Sequence, residues 1–151
     1  VGSEMCIRDR FQMGGVGPMF GQCHHFTKYN PDKAPYAQDR YHDETKRLYG
    51  VMNERLSKSG FLACDEYTIA DMICYPWTIG WKAQGQDIDE FIYFKRWFEE
   101  VGERPAVKLG MQAGSGMPKE VPDMNEDEKK RLANMLYNQR ARPAPTTGGL
   151  L

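Results

Sequence analysis

The chain has 151 residues, a net charge of −1 at pH 7 and 40% hydrophobic residues, enough for one domain around one core. Its sequence pI near 6.3 and interspersed charges exclude the basic footprint of a nucleic-acid or anionic-membrane binder. No apolar run approaches the ~20 residues of a membrane span. The 4 cysteines show no C-x-x-C spacing, which fits a reducing, cytoplasmic setting better than a disulfide framework.

The opening run "VGSEMCIRDR" has no helical or strand periodicity and is too polar for a signal peptide. Back-translated, it can be written GTG GGC TCG GAG ATG TGT ATA AGA GAC AG, the end of a transposase-type sequencing adapter. Residues 1–10 are therefore expected to be an artefact outside the fold. Strand signals are scarce, and helical spacing recurs along the rest of the chain. A first helix is expected over Phe11 to Tyr29, broken by "GGVGPMFG", whose glycines are poor helix residues. Glycines there suit a close approach of backbone, ligand or partner subunit. "NPDKAP" turns the chain, and Pro35 opens a second helix to about Lys58. Ala37, Tyr41, Leu48, Met52 and Leu56 form its buried stripe. Gly60 is the expected left-handed cap.

A third helix begins in "EYTIADMICYPW", with Thr68 as N-cap, Asp71 completing a capping box, and Tyr67 and Met72 as a hydrophobic staple. Being apolar almost all round, it reads as the central buried helix, kinked at Pro76. "QGQDID" is expected to loop out. A fourth helix carries Phe91, Phe94, Trp97, Phe98 and Val101 on one face and ends at Gly102, and Pro105 opens a fifth to about Gln112. "AGSGMPKEVPDMN" reads as a linker. Asn125 and Glu128 suggest a cap for a charged tail helix able to bury Leu132, Met135, Leu136 and Tyr137, and "PAPTTGGLL" is expected to be disordered. The fold class is all-α: about five helices plus the tail helix, with the domain at 11–112 and the linker and tail at 113–151.

Few side chains point to chemistry. In "QCHH", neighbouring helical residues diverge by about 100°, so Cys23, His24 and His25 do not converge on one ion and no metal site is assigned. Cys74 reads as inert core. Nothing beside Cys23 or Cys64 predicts a lowered thiol pKa. Asp71 is occupied by its capping bond, and no catalytic residue is assigned. For Arg40 in "YAQDRY" two roles stay open on spacing alone. One is a solvated pair with Asp43 or Glu44, worth little. The other is a forked clamp on a ligand carboxylate.

"GGVGPMFGQCHHF", "PYAQDRYHDETKRLYGVMNERL", "FLACDEYTIADMICYPW" and "RWFEEVGERPAVKLG" together resemble the C-terminal helical domain of the glutathione S-transferase superfamily. The likeness is strongest to the bacterial Nu-class branch of glutathione-dependent disulfide-bond reductases, over Phe11 to Gly110. It implies a two-domain, cytoplasmic, homodimeric parent with glutathione as co-substrate and small-molecule or peptide disulfides as substrates. It implies that a thioredoxin-like N-terminal domain, absent from this sequence, holds most of the glutathione site. It further implies that Arg40 contacts a glutathione carboxylate and that Gln12 lines the same cleft. The expected function is thus the helical half of a disulfide reductase or glutathione transferase, inactive as it stands. The alternative is a non-catalytic interaction or regulatory domain of the same fold.

Overall fold

The computed structural model describes residues 2–113, 125–128 and 130–131. The described residues form six α-helices: α1 (Gly2–Cys6), α2 (Gly17–His24), α3 (Pro35–Leu56), α4 (Ile69–Thr78), α5 (Ile92–Glu103) and α6 (Pro105–Gln112). Two π-helical stretches, Ile7–Val16 and His25–Tyr29, join and extend α1 and α2. A single 3₁₀ turn, Ile88–Glu90, precedes α5.

The expected break at "GGVGPMFG" is absent. Cys6, Val16, Gly17 and His24 all keep right-handed helical dihedrals, so one rod runs from Gly2 to Tyr29. The rod passes its glycines by widening. The Gly17 amide reaches back five residues to the Gln12 carbonyl, and Pro18, which has no amide hydrogen, falls in the first turn of the tighter α2. The opening run is helical too. None of its Gly2–Cys6 residues is buried, and Met5 is exposed. Ile7 is half-buried against the core beside Phe11.

α3 starts on Pro35 as expected and buries Thr45, Leu48, Tyr49, Met52 and Leu56. Tyr49 is the hub of the core. It stacks on Phe20 at 4.9 Å and meets the Phe94 ring edge-on at 4.9 Å, the two geometries that aromatic quadrupoles favour. The expected left-handed cap at Gly60 is not found: among described glycines only Gly85 has positive φ. Instead, side chains hold the segment after α3. Arg55 donates to the Leu62 and Ala63 carbonyls, and Arg96 donates to those of Leu56, Ser59 and Gly60.

The capping box at Thr68 and Asp71 is present in full. Its carboxylate does more than cap. Asp71 is fully buried and accepts from the Leu62 amide at 3.0 Å, the Thr68 amide at 3.0 Å and the Trp97 indole at 2.8 Å. The staple takes another form: Tyr67 packs edge-on against Phe61 and under the Arg104 guanidinium, while Met72 is exposed.

α4 is not buried all round. Ala70, Asp71, Cys74, Tyr75 and Thr78 are buried at i, i+1, i+4, i+5 and i+8, whereas Ile69, Met72, Pro76, Trp77 and the following Ile79 stay exposed. The helix is amphipathic in position but apolar on both faces.

"QGQDID" does not loop out. Gln84 and Gln86 are buried. The Gln84 side chain accepts from Tyr49 Oη at 2.8 Å and donates to the Trp77 carbonyl at 3.0 Å, and Gln86 donates to the His42 carbonyl. Buried amides need such partners on both ends.

α5 continues through Gly102 to Glu103. A Cβ on Gly102 would lie 2.6 Å from Tyr75 Oη, so glycine there allows α4 and α5 to approach. Beyond α6, Asn125 and Glu128 exchange side-chain-to-amide bonds at 2.9 and 3.0 Å, a second capping box. Leu132, Met135, Leu136, Tyr137 and "PAPTTGGLL" lie outside the described residues.

Candidate functional site

Gln12 lies in the widened part of the rod, and the winding there turns it inward. Its side chain is 3% exposed, and its Oε1 has no hydrogen-bond partner. A buried amide oxygen left unpaired costs about 1–3 kcal/mol. A Cβ on Gly17 would stand 2.9 Å from Gln12 Nε2 and 3.4 Å from the Trp77 ring, and one on Gly21 would stand 3.7 Å from the same ring. Gly17 and Gly21 therefore admit this chain's own Gln12 amide and Trp77 indole. These residues, with Met13, Pro18 and Gln22, line an open depression of about 380 Å³. It is bounded by the rod on one side and by the exposed face of α4 on the other.

Arg40 stands apart from this depression, in the second turn of α3. Its side chain is 55% exposed, and Nη1 lies 3.7 Å from a Glu44 carboxylate oxygen, beyond hydrogen-bond reach. Glu44 is engaged elsewhere. Arg47 grips it with two nitrogens, Nε at 2.9 Å and Nη2 at 2.7 Å. That grip holds the Glu44 carboxyl below its usual range, with a smaller contribution from Arg40. The Arg40 guanidinium is thus half-exposed in a loose ion pair with Glu44, beside Tyr41, which stacks on Phe26 at 5.5 Å. Gln12 and Arg40 are not brought together in one described pocket.

The thiols are quiet. Burial pushes the Cys74 thiol up to about 12, and burial also raises that of Cys23, whose Sγ points at the Gln84 carbonyl. Both are protonated at neutral pH and poor nucleophiles. Among the described residues, no three His, Cys, Asp or Glu side chains are grouped to hold a metal ion. No helix among them is long and apolar enough to cross a membrane.

Trp77 is the wall residue that the sequence reading missed, having assigned it to a buried helix. The signal was present: Ala70, Cys74 and Thr78 repeat every four residues, and Trp77 falls off that stripe.

An all-helical bundle whose central helix is fixed by a buried capping box, and which leaves one apolar face open beside an unpaired amide, defines a helical module with a seat on one side. The family model "Glutathione S-transferase, C-terminal domain" matches residues 16–105. The chain belongs to the glutathione S-transferase family through that domain. It is 46% identical over 96 residues to "Disulfide-bond oxidoreductase YfcG" of Escherichia coli, covering 64% of this chain and 45% of that protein. It is 42% identical over 108 residues to "Disulfide-bond oxidoreductase YghU" of the same organism, covering 66% and 38%. Among solved structures, the glutathione transferase URE2P6 of Phanerochaete chrysosporium, in complex with oxidized glutathione, superposes with a TM-score of 0.68 at 33% identity, covering 75% of this chain and 53% of that one. The chain spans about half or less of the length of these relatives.

Proposed function

We propose that this domain is the helical half of a glutathione-dependent disulfide reductase, contributing Arg40 and Gln12 to a cleft completed by a thioredoxin-like domain. The observation that carries the reading is Gln12: an amide oxygen buried without a partner, in the wall of a depression that the exposed Trp77 ring also lines. A ligand or a second domain seated there supplies the missing donor and covers Trp77. The disulfide-bond oxidoreductases among the relatives support the reaction, and the glutathione-bound neighbour supports the co-substrate.

In the proposed reaction a glutathione thiolate attacks one sulfur of a small-molecule or peptide disulfide. It forms a mixed disulfide and expels the other sulfur as a thiolate. A second glutathione thiolate then attacks the glutathione sulfur, releasing the second substrate thiolate and glutathione disulfide. Two protons from solvent or a general acid leave both products as thiols. Cys23 and Cys74 take no part, because both are buried and protonated. Arg40 holds a glutathione carboxylate by a charge-assisted fork. The parent is a cytoplasmic homodimer, the domain occupies 11–112, and residues 1–10 are adapter-derived.

The test is glutathione titration by calorimetry on the full-length protein. Arg40→Ala is expected to weaken binding by about 1–3 kcal/mol, the loss of a charged hydrogen bond. Unchanged affinity overturns the assignment. The chain alone is expected to show no disulfide reductase turnover.

A further inference from the structure

We propose that Arg47 is a positioning residue that keeps Arg40 available to an anionic ligand by withholding Glu44 from it. The inference rests on the reading of Arg40 as a glutathione contact and deepens it. Arg40, Glu44 and Arg47 follow one another on one side of α3 at i, i+4 and i+7. A carboxylate three or four residues from an arginine on a helix lies within its reach, and the pair is stronger when the carboxylate comes first in the chain. Here the geometry divides that pairing unequally. Arg47 binds both Glu44 oxygens, at 2.7 and 2.9 Å, while Arg40 stays 3.7 Å away. The Glu44 side chain is only 16% exposed, so its charge is less screened than that of a free surface carboxylate.

Two consequences follow from the forked grip. The Arg47 charge cancels that of Glu44 close to where a ligand carboxylate approaches Arg40, which removes a like-charge repulsion. The fork also fixes the Glu44 rotamer, so the carboxylate does not swing to close its own bond with Arg40. Without Arg47, Glu44 becomes an internal competitor for the guanidinium. A ligand then has to displace it, which raises the apparent dissociation constant without touching the reacting sulfur.

The experiment measures KM for glutathione and kcat in the full-length protein, with a small dialkyl disulfide as substrate. Arg47→Gln is expected to raise KM by about three- to tenfold, the range of a charged contact partly screened by solvent, with kcat unchanged. Arg47→Lys, which keeps the charge but not the fork, is expected to fall between. The deciding variant is Glu44→Gln/Arg47→Gln, which removes the competitor with its lock and is expected to restore KM to within about twofold of the parent. Thermal unfolding of each variant reports a merely structural effect, which the double variant does not rescue. If Arg40→Ala weakens glutathione binding but Arg47→Gln does not, the lock is overturned and the site assignment stands. Failure of the double variant to restore KM also overturns the lock. If Arg40→Ala leaves affinity unchanged, the site assignment falls and takes the lock with it.

Discussion

Asp71 shows how much one side chain carries in this domain. Its two oxygens accept from Leu62, Thr68 and Trp97, which belong to three different segments. Asp71→Asn puts a donor where only donors converge, so at least one of these bonds is lost with its partner still buried. The expected cost is about 2–4 kcal/mol in a denaturant titration, as for a charged hydrogen bond together with the donor it strands. Thr68→Ala removes the hydroxyl that caps the Ala70 amide and donates a longer bond to Asp71. It is expected to cost about 1 kcal/mol and to leave the glutathione affinity of the full-length protein unchanged. A larger fall in affinity than in stability would place Thr68 in the site. The local half of this arrangement, Thr68 with Asp71, was readable because a capping box is a pattern of four consecutive residues. The bonds to Leu62 and Trp97 were not, since no local spacing encodes a contact 26 residues away.

Between elements, a second close fit lies where α2 meets the turn after α4. The Gly80 backbone lies so close to His24 that a Cβ there would stand 2.7 Å from Nε2, and that nitrogen is buried with no partner. Burial pushes the His24 imidazole below its ordinary value; the Gly80 backbone opposes this and the Lys28 charge adds to it. The sign follows from linkage. The folded state resists the proton that the unfolded chain accepts, so the native state is favoured fully above the unfolded value of about 6.5 and loses ground as pH falls through it toward the folded value. The melting temperature is therefore expected to drop between about pH 7.5 and 5.5, and to drop less in His24→Gln. Equal slopes in the two proteins would remove His24 from the account. The element boundaries of α3, α4 and α6 were legible because Pro35, Thr68 and Pro105 are start signals. The rod was not, because five glycines and a proline argue against a helix on propensity, and only the change of winding reconciles them. Nor was the burial of Gln84 and Gln86, since a polar run with glycine reads as a surface loop unless its partners, Tyr49 and the His42 carbonyl, are already in place.

For the molecule as a whole, burial divides its four cysteines into two classes. Cys6 is exposed and Cys64 half-buried, whereas Cys23 and Cys74 are buried. A thiol reagent at neutral pH is expected to label Cys6 and Cys64 in the folded chain, and Cys23 and Cys74 only after unfolding. Native labelling of Cys23 would contradict the packing of α2 against α3. The all-α class and the family were legible in the sequence because motifs spread over four helices agree with one another. The proposed role of Arg40 rests on those motifs alone: its spacing fits a surface ion pair equally well, and the structure places it 3.7 Å from a Glu44 carboxylate oxygen.

The winding of the first helix makes its length act as a rotation. Between Ile7 and Val16 the backbone takes more residues per turn than an α-helix does. Excising one residue, for example Gly14, would not shorten the rod by a notch. With the pitch kept, it would swing everything upstream around the axis by the angle of one residue, somewhat under the ~100° of an α-helix. Phe20 and Cys23 would stay where they are, and Gln12 would turn away from Gly17 and Trp77. Variation in the number of residues there is therefore a change of aim, and homologues that share the depression are expected to keep the count while varying the letters.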